Sequence, residues 1–509
     1  MTNNKQITKN ALMLYIRMAV MTAISLYTSR VVLDILGIED YGVYSLVAGI
    51  AVLFSFFSNA LYTSTQRFIT FEIGKGDAKE IKDVFTTSIN CHIVIALLVV
   101  LFSECFGLWL LNSNLNIPKG SLYAANIVFQ LSLCSCVLGI LNAPFTASII
   151  AHEKMSFFAW TSILDAISKL LIVYILSIGS FNKLIFYASL LCVWAIIKIF
   201  IERFYCHIYL KNCRYTWSFN KKRFKAMMNF STWTLFKTGA ILGVNQGNNV
   251  LINLFGGPIA SAAMGITNQV NGTVYTFMQN VQIAFNPQIT KKFAIDNIQE
   301  FNLLIFRSAK LSSFLLSFLA IPFLLNAEYI LNLWLKEVPL YTVNLCRLAI
   351  LSVFIDSLTG PLGTAVMSEG RIRNYQIISS ILWFVAIPCA WLLLHIGLSV
   401  DCILWGKIIA QVLCLIYTMI YLKKRIDFSS ILFLKNAIFP SVCVFLLGYI
   451  LIAFSMSFIH VAAFCHLLFS VMLAFVILFF LIVYVGMIPT ERKIAYSIVK
   501  KYILKNEEN

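Results

Sequence analysis

The sequence predicts an all-α integral membrane protein of about fourteen transmembrane helices, built as two parallel six-helix lobes followed by two C-terminal helices. Three observations predict it: an apolar composition, a regular succession of bilayer-length apolar stretches, and an internal repeat.

Composition comes first. A mean hydropathy of +0.84 and 60% hydrophobic residues over 509 positions leave too little polar surface to coat a soluble globule. Only 12% of residues are charged, yet the formal net charge is +17. Such an excess also fits nucleic-acid binding, so the positions of the charges decide its meaning.

Apolar stretches long enough to cross a hydrocarbon core of about 30 Å recur along the whole chain. They centre on residues 11–36, 42–66, 84–111, 121–150, 156–178, 184–209, 228–255, 259–286, 304–326, 340–368, 374–396, 399–422, 432–456 and 460–485. The connectors alternate in charge: 25 Lys and Arg fall on one side and only Lys119, Lys183 and Lys336 on the other. That is the positive-inside pattern; it places both termini in the cytoplasm and assigns the basic excess to anionic headgroups, with no nucleic acid implied. The first stretch is too long for a signal-peptide core and lacks a small-residue cleavage site, so it is expected to remain as a helix.

The repeat organises these spans. Val31-Val32-Leu33-Asp34-Ile35-Leu36-Gly37 aligns with Val250-Leu251-Ile252-Asn253-Leu254-Phe255-Gly256. Ala143-Pro144-Phe145-Thr146-Ala147 aligns with Gly360-Pro361-Leu362-Gly363-Thr364 at nearly the same offset. Six helices repeated as six begin twice on the same side of the membrane, which makes the duplication parallel. The domains expected are residues 1–215, 216–426 and 427–509, the last holding two extra helices and a cytoplasmic tail. Chance similarity between apolar helices is the rival explanation.

Polar side chains inside apolar spans mark the functional candidates, because in hydrocarbon they are costly unless they face protein or water. At 100° per residue, Asn268, Asn271, Tyr275, Gln279, Gln282 and Asn286 share an arc of about 80° on the eighth span. On the seventh span Thr234, Lys237, Asn245 and Asn248 do the same, with Gly239, Gly243 and Gly247 nearby. Two readings compete: hydrogen-bonding contact between helices, and a wall for a substrate rich in hydroxyls, for which Asn, Gln and Tyr are tolerant partners.

Cations form a second set. Arg17 and Arg30 lie in the first span, and an offset of 220 residues places Lys237 in register with Arg17. A diphosphate suits such a site, although Arg17 and Arg30 stand about 140° apart on an ideal helix and Arg30 has Asp34 one turn away. Asp165 with Lys169, and Lys198 with Glu202, have the i,i+4 spacing of internal ion pairs. Arg347, Asp356 and Lys407 are further candidates in the second half, and Asp34 and Asp356 are the candidates for carrying coupling protons or cations. No metal site, disulfide framework or cofactor motif is expected: the 13 cysteines are scattered without Cys-x-x-Cys, the six histidines lack ligand spacing, and there is no P-loop.

The run Ser29-Arg30-Val31-Val32-Leu33-Asp34-Ile35-Leu36-Gly37-Ile38-Glu39-Asp40-Tyr41-Gly42-Val43-Tyr44 resembles the first-loop signature of polysaccharide-biosynthesis (O-antigen) flippases. These belong to the multidrug, oligosaccharidyl-lipid and polysaccharide exporter superfamily, which also holds drug antiporters. The resemblance extends over the chain through helix number, lobe organisation and the Ala-Pro-Phe-Thr segment ahead of His152-Glu153-Lys154. It implies alternating access in a bacterial cytoplasmic membrane, carrying an undecaprenyl-diphosphate-linked oligosaccharide from the inner to the outer leaflet. The family often places cations on the first and seventh helices, where Arg17 and Lys237 match by location. Polysaccharide polymerase and chain-length regulator are the protein partners it suggests. The alternatives are a drug/cation antiporter of the same fold, a membrane polymerase, for which the short outer loops offer little room, and a purely structural membrane protein.

Overall fold

A computed structural model describes residues 10–21, several positions between 23 and 31, and residues 55–109, 122–176, 182–335, 337–426, 428–458, 462–488 and 491–492. Among these, helices account for nearly all regular structure and no strand occurs. We number the helical segments α1 (Asn10–Met21), α2 (Ser55–Lys75), α3 (Ala78–Gly107), α4 (Leu122–Ala151), α5 (Met155–Leu176), α6 (Lys183–Tyr209), α7 (Lys221–Ala294), α8 (Ile298–Trp334), α9 (Thr342–Glu369), α10 (Arg373–His395), α11 (Val400–Ile426), α12 (Ser430–Met456) and α13 (Ala463–Gly486). Eleven of them are long and apolar enough to cross a membrane, and the chain is a multi-pass membrane protein.

Local chemistry sets the boundaries. Asp77 caps α3 by accepting from the backbone N–H groups of Lys79 and Glu80, while Asn182 and Asn220 do the same for α6 and α7. α7 runs for 74 residues and contains both predicted spans 228–255 and 259–286. Its ladder breaks at Gly257, where φ 66 and ψ −163 are open only to glycine, and Pro258 restarts the helix with its φ preset. Arg30, Asp34 and the first-loop motif apart from Val31 lie outside the described residues.

Burial is inverted relative to a soluble protein. On α8, Ser308, Ser312, Ser313 and Ser317 are buried while Leu311 and Leu319 are exposed. Ser313 Oγ donates to Ser441 Oγ of α12 at 2.7 Å. Without a hydrophobic drive between helices in lipid, small residues and such hydrogen bonds hold the packing. α13 exposes Phe464, Leu468, Met472, Phe475 and Phe479, a surface suited to acyl chains.

The chain divides into two compact units. Unit 1 comprises Met1–Thr238, Thr290–Asn297 and Gly370–Arg373; unit 2 comprises Gly239–Ile289, Ile298–Glu369 and Asn374–Asn509. In unit 1, α4 packs against α2, α3 and α6, around a core that includes Phe85, Ile140, Ile149 and Met227. Charge explains why short pieces from later in the chain join it: Lys291 pairs with Glu153 in the α4–α5 turn, and Arg373 lies 5.2 Å over the Trp233 ring. In unit 2, α9 packs against α8 and α11, and α12 and α13 cover α8.

Candidate functional site

Within unit 1, four helices line an open cavity of about 430 Å³. α2 contributes Ser58, Asn59 and Tyr62; α4 contributes Ser135, Asn142 and Thr146; α5 contributes Asp165 and Lys169; α6 contributes Trp194 and Lys198. The wall is therefore hydroxyls, amides, an indole and three charges, with apolar side chains between them.

The charges are interlocked. Asp165 accepts from Lys169 Nζ at 2.9 Å and from Trp194 Nε1 at 2.8 Å, and Lys198 Nζ stands 3.5 Å away. The i,i+4 pair Asp165–Lys169 forms, whereas Lys198 turns across to α5. Glu202, buried one turn beyond, accepts the Thr146 hydroxyl. Two ammoniums thus stand against Asp165 in the wall and Glu202 just behind it, which lies within electrostatic reach of Lys198, and the lysines keep unused donors. Arg17 sits against α5, its guanidinium 4.7 Å from the Phe158 centroid and 3.5 Å from Ser162 Oγ.

Lys237 is half-buried near the end of the first segment of unit 1, which also holds Thr234, while the α7 candidates from Asn245 to Asn286 belong to unit 2. Asn245 is exposed and Asn248 is buried, its Oδ1 without a hydrogen-bond partner. Further along, Asn268, Tyr275 and Gln279 are exposed and Asn271 is half-buried. Gln282 is buried and donates to the Ser357 carbonyl at 3.3 Å, and Asn286 accepts from Thr364 at 2.9 Å. The stripe thus has an accessible stretch and a stretch packed against α9. Asp356 accepts from Gln411 Nε2 at 2.9 Å and lies within electrostatic reach of Lys407 and Tyr275.

A second cavity, of about 460 Å³, opens beside the Gly257 break and is lined by Asn249, Asn253, Ser261 and Asn268. Asn253 Nδ2 donates to Ser261 Oγ at 2.9 Å across that break. Among the described residues no group of three or more His, Cys, Asp or Glu is placed to hold a metal.

The polar wall of unit 1 was not singled out from sequence, apart from its charged members. A signal for it existed: Ser135, Asn142 and Thr146 lie within about 40° on one face of α4, and Asn59 and Tyr62 are three apart on α2. Each set is short, and only their convergence in space makes a cavity.

Residues 245–392, which hold most of the amide stripe and Asp356, match the MatE family model. No curated protein sequence matches the chain. Among solved structures the chain is similar to a multidrug-resistance MATE family transporter of the MOP superfamily in an outward-facing conformation, with TM-score 0.72 and 13% identity over 84% of this chain and 96% of that one. It is similar to a MATE protein in the straight conformation, with TM-score 0.71 and 14% identity over 84% and 96%. A third match is a MOP superfamily transporter from Pyrococcus furiosus, described as having a binding pocket of reverse polarity that suggests a different function, with TM-score 0.69 and 12% identity over 83% and 96%. At such identities the likeness is one of backbone architecture, and this chain has the fold of the MATE transporters of the MOP superfamily.

Proposed function

We propose that the protein is an alternating-access transporter that moves an undecaprenyl-diphosphate-linked oligosaccharide from the inner to the outer leaflet of a bacterial cytoplasmic membrane. The observation that carries this reading is the lining of the unit 1 cavity: amides, hydroxyls and the Trp194 indole, with two lysines facing one aspartate. Sugars present hydroxyls to such groups and an apolar face to an indole, and a diphosphate can accept hydrogen bonds from the Lys169 and Lys198 ammoniums. The accessible amides Asn245, Asn268 and Gln279 of unit 2 offer the same chemistry to such a substrate, and Arg17 and Lys237 are the candidate cationic contacts. The distribution of basic connectors supports a cytoplasmic location for both termini. A polymerase and a chain-length regulator would take the glycan after it crosses.

A drug/cation antiporter is the second reading, favoured by the MatE match and the multidrug relative. It needs carboxylates free to exchange a cation. Asp165 is engaged by two lysines and an indole and Asp356 by an amide, which supports the anionic substrate over the cationic one.

The test is reconstitution into vesicles with a fluorescent undecaprenyl-diphosphate oligosaccharide, beside a fluorescent lipophilic cation. Wild-type protein is expected to move the glycan lipid and not the cation, and Lys198→Ala, Lys237→Ala and Gln279→Ala to slow it. Cation efflux without glycan movement would overturn the proposal in favour of the antiporter. Unchanged movement in all three variants would overturn the cavity assignment.

A further inference from the structure

The connector between α6 and α7, residues 210–220, holds an aromatic side chain in the open. Trp217 is 96% exposed and Phe219 is 64% exposed. The loop is fastened to the N-terminal half of α3. Asn90 grips it twice, donating to the Ser218 carbonyl at 3.2 Å and accepting from the Tyr215 hydroxyl at 3.2 Å. Thr86 Oγ1 accepts from the Thr216 backbone N–H at 3.3 Å, and Asn220 Nδ2 donates to Asp83 at 2.9 Å. Tyr215 then props the Trp217 ring edge-on at 5.8 Å.

The charge around this loop is net positive. The nearby carboxylates of Glu72, Glu80 and Asp83 gather on Arg223, with Asp83 at 2.9 Å and Glu72 at 3.7 Å, and its one positive charge offsets only part of theirs. Lys211, Arg214, Lys221, Lys222 and Lys225 remain exposed with no ion pair among the described residues. α6 and α7 both have membrane-spanning character, so an eleven-residue connector between them stays close to the bilayer surface. An indole ring amid exposed cations that outnumber the nearby carboxylates matches the boundary between acyl chains and anionic headgroups, where amphipathic rings and basic side chains both gain.

The geometry points to the 210–220 connector as a rigid membrane anchor, in which Trp217 enters the headgroup boundary of an anionic phospholipid surface and the surrounding lysines bind its phosphates. The occupant is the bilayer in which the protein sits. A soluble protein covering Trp217 is the competing outcome.

The experiment compares intact wild-type protein with Trp217→Phe in phosphatidylcholine vesicles with and without phosphatidylglycerol. Because Trp217 makes few contacts, the variant is expected to fold, which its elution profile and unfolding midpoint check. The difference in emission between the two proteins isolates Trp217 from the other tryptophans. In phosphatidylglycerol vesicles that difference is expected to be blue-shifted, quenched about two-fold or more by lipids brominated on the upper acyl chain, and shielded from aqueous iodide. Lys221→Ala/Lys222→Ala is expected to reduce the shielding while leaving the fold intact. A water-like difference spectrum, open to iodide and indifferent to brominated lipid, would overturn the proposal and leave the exposed ring to a protein partner.

Discussion

Replacing Gly360 by alanine tests whether Gln282 is a packing amide. An alanine Cβ at Gly360 would stand 2.2 Å from Gln282 Oε1 and 2.6 Å from both Cδ and Nε2. Ordinary contact needs more than 3.4 Å, so the amide must move by about 1 Å or α9 must retreat from α7. Gln282 is the far end of a flexible side chain, but at 7% exposure it has no water to swing into. Displacement also breaks its bond to the Ser357 carbonyl, worth about 0.6 kcal/mol on average between membrane helices. Overpacking adds about 1–3 kcal/mol. We expect Gly360→Ala to destabilise by about 2–3 kcal/mol in all, read as the unfolding midpoint of purified protein in mild detergent. Gln282→Ala makes room for the new methyl, so the double variant should be more stable than the sum of the singles by about 1 kcal/mol or more. Additivity within about 0.5 kcal/mol would refute the contact argument.

Other expectations follow from the same packing and charge logic. At Gly406 a Cβ would meet backbone, 2.7 Å from the Ala386 carbonyl oxygen; Gly406→Ala should lower the unfolding midpoint by more than Gly360→Ala, since a backbone cannot rotate aside. Lys291→Ala leaves the nearly buried Glu153 without its ammonium and should cost about 2 kcal/mol, with Lys291→Arg close to wild type in the same assay. Burial, with lesser contributions from the Lys291 and Lys154 ammoniums, holds the His152 imidazole below its ordinary value. The unfolded chain therefore takes up a proton near 6.5 that the native ring refuses. Stability should be full above that pH and fall as the pH drops through it, and His152→Gln should flatten the slope. In the loop after α6, burial pushes the Cys213 thiol up to about 12; at pH 8 mass spectrometry should find it unmodified by maleimide until the protein is denatured.

What the amino-acid sequence settled by itself is the part governed by solvent: bilayer-length apolar stretches and an all-helical fold. Those properties depend on residues near one another in the chain, because the choice between lipid and water acts on each stretch separately. Helical periodicity also put Gln279 and Gln282 on one stripe, but only tertiary structure divided it, leaving Gln279 accessible and burying Gln282 against α9. Spacing offered Glu202 to Lys198; packing gave Lys198 to Asp165 on another helix. The unit 1 cavity shows the same limit, since its amides and hydroxyls come from α2 and α4, separated by scores of residues in the chain. Ion pairs and hydrogen bonds act over a few ångströms, so which polar groups meet is decided when helices pack, and no one-dimensional pattern contains that choice.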